Sequence, residues 1–378
     1  MCAANRLVEE RCLALMECQP GGEFADSATE PVAAAPHTPA PQPTQNKHPI
    51  PAQVTHFYLE HMRRSGYYHQ LRRIVEPSEQ ELTAPGWWDT SGEHACTVIT
   101  GLQHKFPQTA LILVADACFS YCRFCFRSRF VGRSSHEIAV DYPKIAEYIR
   151  QRPQINNVLL SGGDPLMLDT ERLNDILDHL LPIPHLSTIR IGTRAIVYYP
   201  ARFNDEQLGL MFERILQAGK TAVLVTHINH FAEVSNEAER HLSNLRKLGV
   251  LLYNQTVLLK DVNDDPAILA STFRELHALG VRPYYLFQAR PVKGASHFQV
   301  PLRRGVEIVH SVNRLLSGIE KTFRYIVSHS TGKIEILDVG EDNRLYMRYH
   351  QHTDGPKIGR IFSRPCPEET SWLDDLPE

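Results

Sequence analysis

Cys118-Phe-Ser-Tyr-Cys122-Arg-Phe-Cys125 sits directly after the apolar run Thr109–Ala117 and carries three cysteines at C-x3-C-x2-C spacing. Thiolates are the ligands of iron–sulfur clusters, and three of them on one tight loop can grip a 4Fe-4S cube while leaving one iron with an open position. Two other readings stand beside this one. A structural zinc site would be closed by a fourth Cys or His close by, and none lies between Cys125 and His136. Buried thiols are common in cores, but three within eight residues, amid Arg123, Arg127, Arg129 and Arg133, make a poor core pattern. The expected occupant is the cluster, with Cys118, Cys122 and Cys125 as its metal ligands.

At 378 residues, 43% of them hydrophobic, the chain has room for one large α/β barrel or two ordinary domains. A formal net charge of -3 shows no basic excess, so the arginines near the cysteines are a local feature and no nucleic-acid partner is expected. No apolar run reaches the roughly 18 residues of a membrane span, and the N-terminus lacks the basic-then-apolar order of a secretory signal. The expectation is a soluble, cytoplasmic protein with no membrane partner. Cysteine usage agrees, since Cys2, Cys12, Cys18, Cys96 and Cys366 are scattered and the clustered three need a reducing compartment.

Residues 1–50 end in a stretch dense in Pro, Ala, Thr and Gln, which cannot bury enough surface to offset its ordering entropy and is expected to form a disordered arm. Residues 51–108 read as a helical layer over Pro51–Ile74 followed by a loop over Pro77–Gly92. From Thr109 to residue 299 the chain alternates strand-like runs (Thr109–Ala117, Asn156–Leu160, Thr188–Gly192, Ala222–Thr226, Leu251–Leu259 and Tyr284–Gln288) with amphipathic ones. The amphipathic segments are Tyr142–Arg152, Thr170–Leu181, Asp205–Ala218, Asn236–Leu248 and Pro266–Leu279. Six such units over roughly 180 residues predict a parallel sheet in a partial (β/α)6 barrel, since a closed eightfold barrel takes about 250. An open doubly wound sheet is the alternative. Residues 300–378 are expected to hold a C-terminal helix and a tail whose Tyr346, Met347, Tyr349 and Trp372 cover the barrel mouth or a partner subunit.

Working groups of such barrels sit at the C-terminal ends of the strands. Cys118 follows the first run, Ser161-Gly162-Gly163-Asp164 the second, Thr193-Arg194 the third, His227-Ile-Asn-His230 the fourth and Gln288-Ala-Arg290 the sixth. The glycine pair lets backbone come close to a ligand. Alone, it is equally an ordinary strand-to-helix turn with Asp164 as the cap.

The cysteine loop after the first strand, with Phe124 just before its last cysteine and Gly162-Gly163 on the second, resembles the radical S-adenosylmethionine superfamily. Within that superfamily, Cys122-Arg-Phe-Cys-Phe-Arg127-Ser-Arg-Phe-Val-Gly132, Leu159-Leu-Ser-Gly-Gly-Asp164, Ile189-Arg-Ile-Gly-Thr-Arg194, Thr226-His-Ile-Asn-His230, Asn254-Gln-Thr-Val-Leu-Leu259 and Arg282-Pro-Tyr-Tyr285 resemble the lysine 2,3-aminomutase family. The resemblance runs from about Gly101 to Pro301, with a looser tail to Lys333.

It implies that S-adenosyl-L-methionine binds the open iron and is cleaved by an electron from the cluster to a 5′-deoxyadenosyl radical, formed inside the barrel away from water. The cofactor contacts it implies are Phe124, Ser161, Gly162, Gly163 and Asp164, with Arg194, His227, His230 and Gln255 lining the same cavity. Arg127 would hold the substrate carboxylate, which suits a guanidinium fork. It further implies pyridoxal 5′-phosphate, carrying the substrate amino group through a 2,3 shift. Its lysine would be Lys333 in Ser328-His-Ser-Thr-Gly-Lys333, and Lys105 would meet its phosphate. Without the resemblance, Thr331-Gly332-Lys333 reads as an exposed hairpin tip between Phe323–Val327 and Ile334–Leu337.

Three departures from the family carry information. The glycine-rich run before the lysine is reduced to Gly332 and lacks its upstream acid. Thr109 stands where a second phosphate-binding basic residue is expected. Ala289-Arg290 replaces the acid that holds the ammonium of a lysine substrate, and a cation there repels such a side chain. The expected activity is therefore an amino acid 2,3-aminomutase acting on an amino acid other than lysine, with an acidic or neutral polar side chain within reach of Arg290. An external electron donor such as flavodoxin or ferredoxin is expected, and a homo-oligomer is left open. Two alternatives are a radical enzyme without pyridoxal phosphate (an epimerase, a dehydrogenase or a peptide modifier) and a non-catalytic iron–sulfur electron-transfer protein.

Overall fold

The computed structural model describes residues 50–378. The arm expected over residues 1–50 lies outside the described residues but for Ile50. The described chain opens with helices α1 (His56–Arg64) and α2 (Tyr68–Val75). The single helical layer expected here is broken at Gly66, whose φ of +75° favours glycine. Two short strands absent from the expected plan follow, β1 (Thr97–Ile99) and β2 (Leu102–Phe106).

The barrel proper begins with β3 (Thr109–Ala115) and alternates thereafter: α3 (Tyr142–Arg150), β4 (Asn157–Gly162), α4 (Thr170–Leu180), β5 (Thr188–Gly192), α5 (Glu206–Gln217), β6 (Thr221–Thr226), α6 (Asn236–Leu248), β7 (Leu251–Leu258), α7 (Pro266–Ala278), β8 (Arg282–Gln288), α8 (Leu302–Leu315) and β9 (Arg324–His329). Polar caps punctuate the units. Asp141, Asp169, Asp205, Ser235 and Asp265 each accept a backbone N–H of the helix they precede. Strands β10 (Gly332–Val339), β11 (Arg344–His352) and β12 (Ile361–Pro365) complete one sheet in sequential order.

Pairing is parallel from β3 through β9 and antiparallel at both ends. A doubly wound sheet reverses its strand order at a switch point; this one never does, so every helix lies on one side and the sheet curls as a partial barrel. The six parallel strands expected become seven. Phe323–Val327, expected as one arm of a hairpin, lies largely in β9, which forms that hairpin with β10 and also pairs parallel with β8.

Burial along the strands explains why the barrel is hollow. β4 alternates, with Val158 and Leu160 buried and Asn157, Leu159 and Ser161 only half-buried, and β5 does the same around Ile189 and Ile191. Buried positions pack under the helices. The half-buried set faces inward, and it mixes small and polar residues instead of the bulky branched layers that fill a closed barrel. Among the described residues no helix is long and apolar enough to cross a membrane.

Candidate active site

The inner face encloses a cavity of about 650 Å³. All the predicted site residues except His230 line it, from the cysteine loop to Lys105 and Lys333.

Local hydrogen bonds fold the cysteine loop: Cys125 N–H donates to Cys122 O at 3.1 Å and Ser128 N–H to Cys125 O at 3.2 Å. Arg123, between the cysteines, turns away from the cavity; its buried guanidinium pairs with Glu81 and donates to the carbonyls of Ile50 (3.0 Å) and Pro51 (2.9 Å), fastening the loop to the N-terminal helices. Burial pushes the Cys118 thiol up and the Cys125 thiol to about 12. Their thiolate forms therefore call for a strong positive charge among the three sulfurs, which bound iron supplies. Among the described residues no three His, Cys, Asp or Glu side chains are placed to hold a single metal ion. Three cysteines lining one cavity fit the larger cluster better than zinc.

Gly162-Gly163 lines the cavity and has a further reason beside the close ligand approach expected of it. A Cβ on Gly162 would sit 2.3 Å from Ala115 O, and one on Gly163 2.3 Å from Ala117 O. The glycines let the end of β4 press against the end of β3, where Gly163 N–H donates to Ala115 O (2.6 Å) and Asp164 N–H to Ala117 O (2.8 Å). The buried Asp164 carboxylate accepts from Thr193 Oγ1 (2.7 Å), Arg194 N–H (2.8 Å) and Leu166 N–H (3.0 Å). It works as a cap that ties the ends of two strands.

Arg127 is held on several sides. Its Nε and Nη2 donate to Glu93 Oε1 (3.0 and 2.9 Å), and its Nη1 to Ser161 Oγ (2.8 Å) and Gly162 O (3.3 Å). Glu93 also pairs with Arg129 at 2.7 Å. Burial works against its charge, but the two guanidiniums prevail and hold its carboxyl at about 2. Arg194 pairs with Glu233 and reaches Cys122 Sγ. Phe124 meets His227 edge-on with centroids 5.6 Å apart, and burial together with Arg194 drops His227 to about 3, so it is neutral. His227 Nε2 is buried without a partner. Gln255 enters the cavity from the middle of β7.

His230 departs from the cofactor-binding role expected of it. It is buried behind the cavity wall, its Nδ1 accepts from Ala232 N–H (3.1 Å), and with Glu233 it forms a capping box for the turn after β6. The His-x-x-His spacing reflects that turn.

The opposite wall gathers cations. Lys105 Nζ donates to the carbonyls of Ser91 (2.9 Å) and His329 (2.8 Å), and burial lowers it to about 8. Lys333 Nζ donates to Gln351 Oε1 (3.0 Å) and lies over the rings of Phe106 (5.0 Å) and Tyr285 (5.4 Å). Burial, and next the charge of Arg190, lower it to about 7. Gly332 permits its approach, since a Cβ there would sit 2.0 Å from Gln351 O. Arg290 lies over the Phe126 ring at 4.3 Å and, among the described residues, donates to hydroxyls alone, those of Ser91, Thr90 (3.5 Å) and Ser328 (2.7 Å).

Sequence reasoning missed Glu93, Ser91 and Arg190. Arg190 projects from β5 level with Leu159, and its Nε is buried without a partner. Its signal was a lone arginine inside an otherwise apolar strand.

A three-cysteine loop at the end of the first parallel strand, opening into a hollow partial barrel, defines the radical S-adenosylmethionine class. No protein-family model matches the chain. A protein of Aquifex aeolicus named "Putative L-lysine 2,3-aminomutase" is 41% identical over 310 residues, covering 82% of this chain and 83% of that one. The L-lysine 2,3-aminomutase of Clostridium subterminale is 35% identical over 268 residues (70% of this chain, 63% of that one), and that of Escherichia coli 35% over 248 (66% and 71%). The chain belongs to the lysine 2,3-aminomutase family of radical S-adenosylmethionine enzymes. Among solved structures, a radical SAM methyltransferase from Sphaerobacter thermophilus aligns with a TM-score of 0.41 at 16% identity over 60% of this chain and 68% of that one. At that score the likeness carries no weight, and the barrel is read from this chain's own strand order.

Proposed function

We propose that this chain is a radical S-adenosylmethionine aminomutase that shifts the amino group of an amino acid other than lysine between its 2 and 3 positions, using a 4Fe-4S cluster and pyridoxal phosphate. When bound, the cluster and S-adenosylmethionine supply a radical able to take hydrogen from an unactivated carbon, and pyridoxal phosphate holds the migrating amino group. The chain's own residues position and shield. Cys118, Cys122 and Cys125 ligate three irons. Phe124, Gly162, Gly163, Arg194, His227 and Gln255 wall the space beside them and exclude water. Lys333, with its amine lowered to about 7, is largely unprotonated just above neutrality and can attack a carbonyl carbon. Lys105 and Arg190 offer positive charge to a phosphate, and the orphaned Nε of Arg190 fits such an oxygen. Arg127 keeps a carboxylate-binding role only through the second N–H of Nη2, the first being given to Glu93.

The observation that carries the substrate reading is Arg290, a cavity-wall guanidinium whose hydrogen-bond partners are all hydroxyls. A half-buried cation whose hydrogen bonds go to neutral acceptors favours an anionic ligand and disfavours an ammonium. The test is turnover of each proteinogenic amino acid by reconstituted, reduced enzyme, with β-amino products followed by NMR. An acidic or polar amino acid should give the fastest conversion. Conversion of L-lysine as fast as any other would sink the substrate reading.

A further inference from the structure

The three cysteine sulfurs do not share one environment. Two side chains converge on Cys122: Arg194 Nη1 donates to its sulfur at 2.8 Å, and Tyr198 Oη lies 3.1 Å away, where it donates once the sulfur is a thiolate. Arg194 is the N-cap of the short helix Ala195–Tyr198 and Tyr198 its last residue, four positions on. The Arg194 guanidinium also lies over the Tyr198 ring at 4.5 Å.

Both donors are held from behind. Glu233, buried to 1% exposure, takes the other end of the Arg194 guanidinium and accepts from Tyr58 Oη at 2.9 Å. The Tyr58 ring meets the Tyr198 ring edge-on, with centroids 4.9 Å apart. Arg194, Glu233, Tyr58 and Tyr198 thus form a closed, buried ring whose two free donors aim at one sulfur. Structural pairing of Arg194 with Glu233 does not require Tyr198 Oη to face Cys122.

We infer that Arg194 and Tyr198 are positioning residues that raise the reduction potential of the cluster through Cys122, easing the one-electron step that an external donor must perform. That step takes the oxidised cluster to the reduced one by uptake of one electron, so the cluster and its thiolates gain one negative charge and no bond is formed or broken. Hydrogen bonds to cluster sulfurs, a charge-assisted one above all, favour the more negative state and move the potential upward. The guanidinium adds a fixed positive charge on the same side.

The inference rests on the cluster reading, and a redox titration separates the two. Reconstituted wild type, Tyr198→Phe and Arg194→Gln would be titrated anaerobically without S-adenosylmethionine, with the reduced cluster followed by electron paramagnetic resonance and iron counted per chain. Tyr198→Phe keeps the ring against Tyr58 and removes the donor, so it should hold a full complement of iron and show a lower midpoint. At a fixed ambient potential its reduced-to-oxidised ratio should fall several-fold, and that of Arg194→Gln by about tenfold, as the loss of a charged hydrogen bond implies. A Tyr198→Phe midpoint equal to wild type at full iron loading would overturn the inference while leaving the cluster reading intact. Wild type that assembles no four-iron cluster would overturn both. Should Arg194→Gln fail to fold, Tyr198→Phe decides alone.

Discussion

The two walls of the cavity treat charge in opposite ways. On the cysteine side, buried guanidiniums meet carboxylates: Arg127 and Arg129 share Glu93, Arg194 has Glu233, and Arg123 has Glu81. On the other side Lys105, Arg190, Arg290 and Lys333 line the same cavity, and their partners among the described residues are carbonyls, hydroxyls and one amide. Among the described residues none of these half-buried cations makes an ion pair, and Glu93 and Asp89 attract Arg290 and Lys105 only from beyond ion-pair reach, so the second wall suits bound anions. One wall is a charge-paired scaffold around the cysteine loop, and the other, on the function proposed above, is a receptor for phosphate and carboxylate.

The contrast can be broken experimentally, and the largest effect belongs to the scaffold. Cys122→Ala should reduce reconstituted iron from four per chain to a small residue, since two sulfurs cannot hold the cube; a full iron count would refute the ligand assignment. Glu93→Gln comes next. It strips the counter-charge from Arg127 and leaves Arg129 with Glu137 alone among the described residues, and breaking a buried pair in this way costs about 3–5 kcal/mol, to be read as a fall in the denaturation midpoint. A loss below about 1 kcal/mol, as for exposed pairs, would mean the scaffold wall is not charge-locked.

On the receptor wall, the Lys333 amine is pushed from 10.5 to about 7 by burial. The unfolded chain keeps that proton up to about 10.5, so between pH 7 and 10.5 the unfolded state binds more protons and stability rises with pH. Lys333→Met should flatten that rise in urea titrations and abolish the visible band of pyridoxal phosphate bound to the enzyme. A band unchanged in Lys333→Met would disprove its role. Arg290→Gln should raise KM for the preferred substrate by roughly tenfold to a hundredfold, the loss expected for a charge-assisted hydrogen bond. His230→Gln, a turn cap behind the wall, should leave binding of S-adenosylmethionine within about twofold of wild type in calorimetric titrations, and a large loss would return it to the site.

The scaffold wall was the more legible of the two. Cys118, Cys122 and Cys125 announce themselves by local spacing, and the strand ends follow from alternation. Glu93 was invisible because its partner Arg127 is 34 residues away, and no periodic pattern links an acid that opens a four-residue helix to an arginine beyond the next strands. Arg190 was hidden by the strand it sits in: alternation marks which face a residue takes, but not that the inner face is hollow. His230 misled because it follows the same strand end as His227, whereas the turn after β6 takes it out of the cavity lining and uses its ring as a cap.

Lys105 reaches the carbonyl of His329 across 224 residues, and Arg290 reaches Ser91 across 199. Such contacts cannot form until nearly the whole chain has left the ribosome and its last parallel strand has docked, so the receptor wall should be among the last parts of the molecule to fold. A ligand seated there would bridge the first and last thirds of the described chain and bind only the finished fold. By linkage it would raise the stability of the whole protein in proportion to its occupancy.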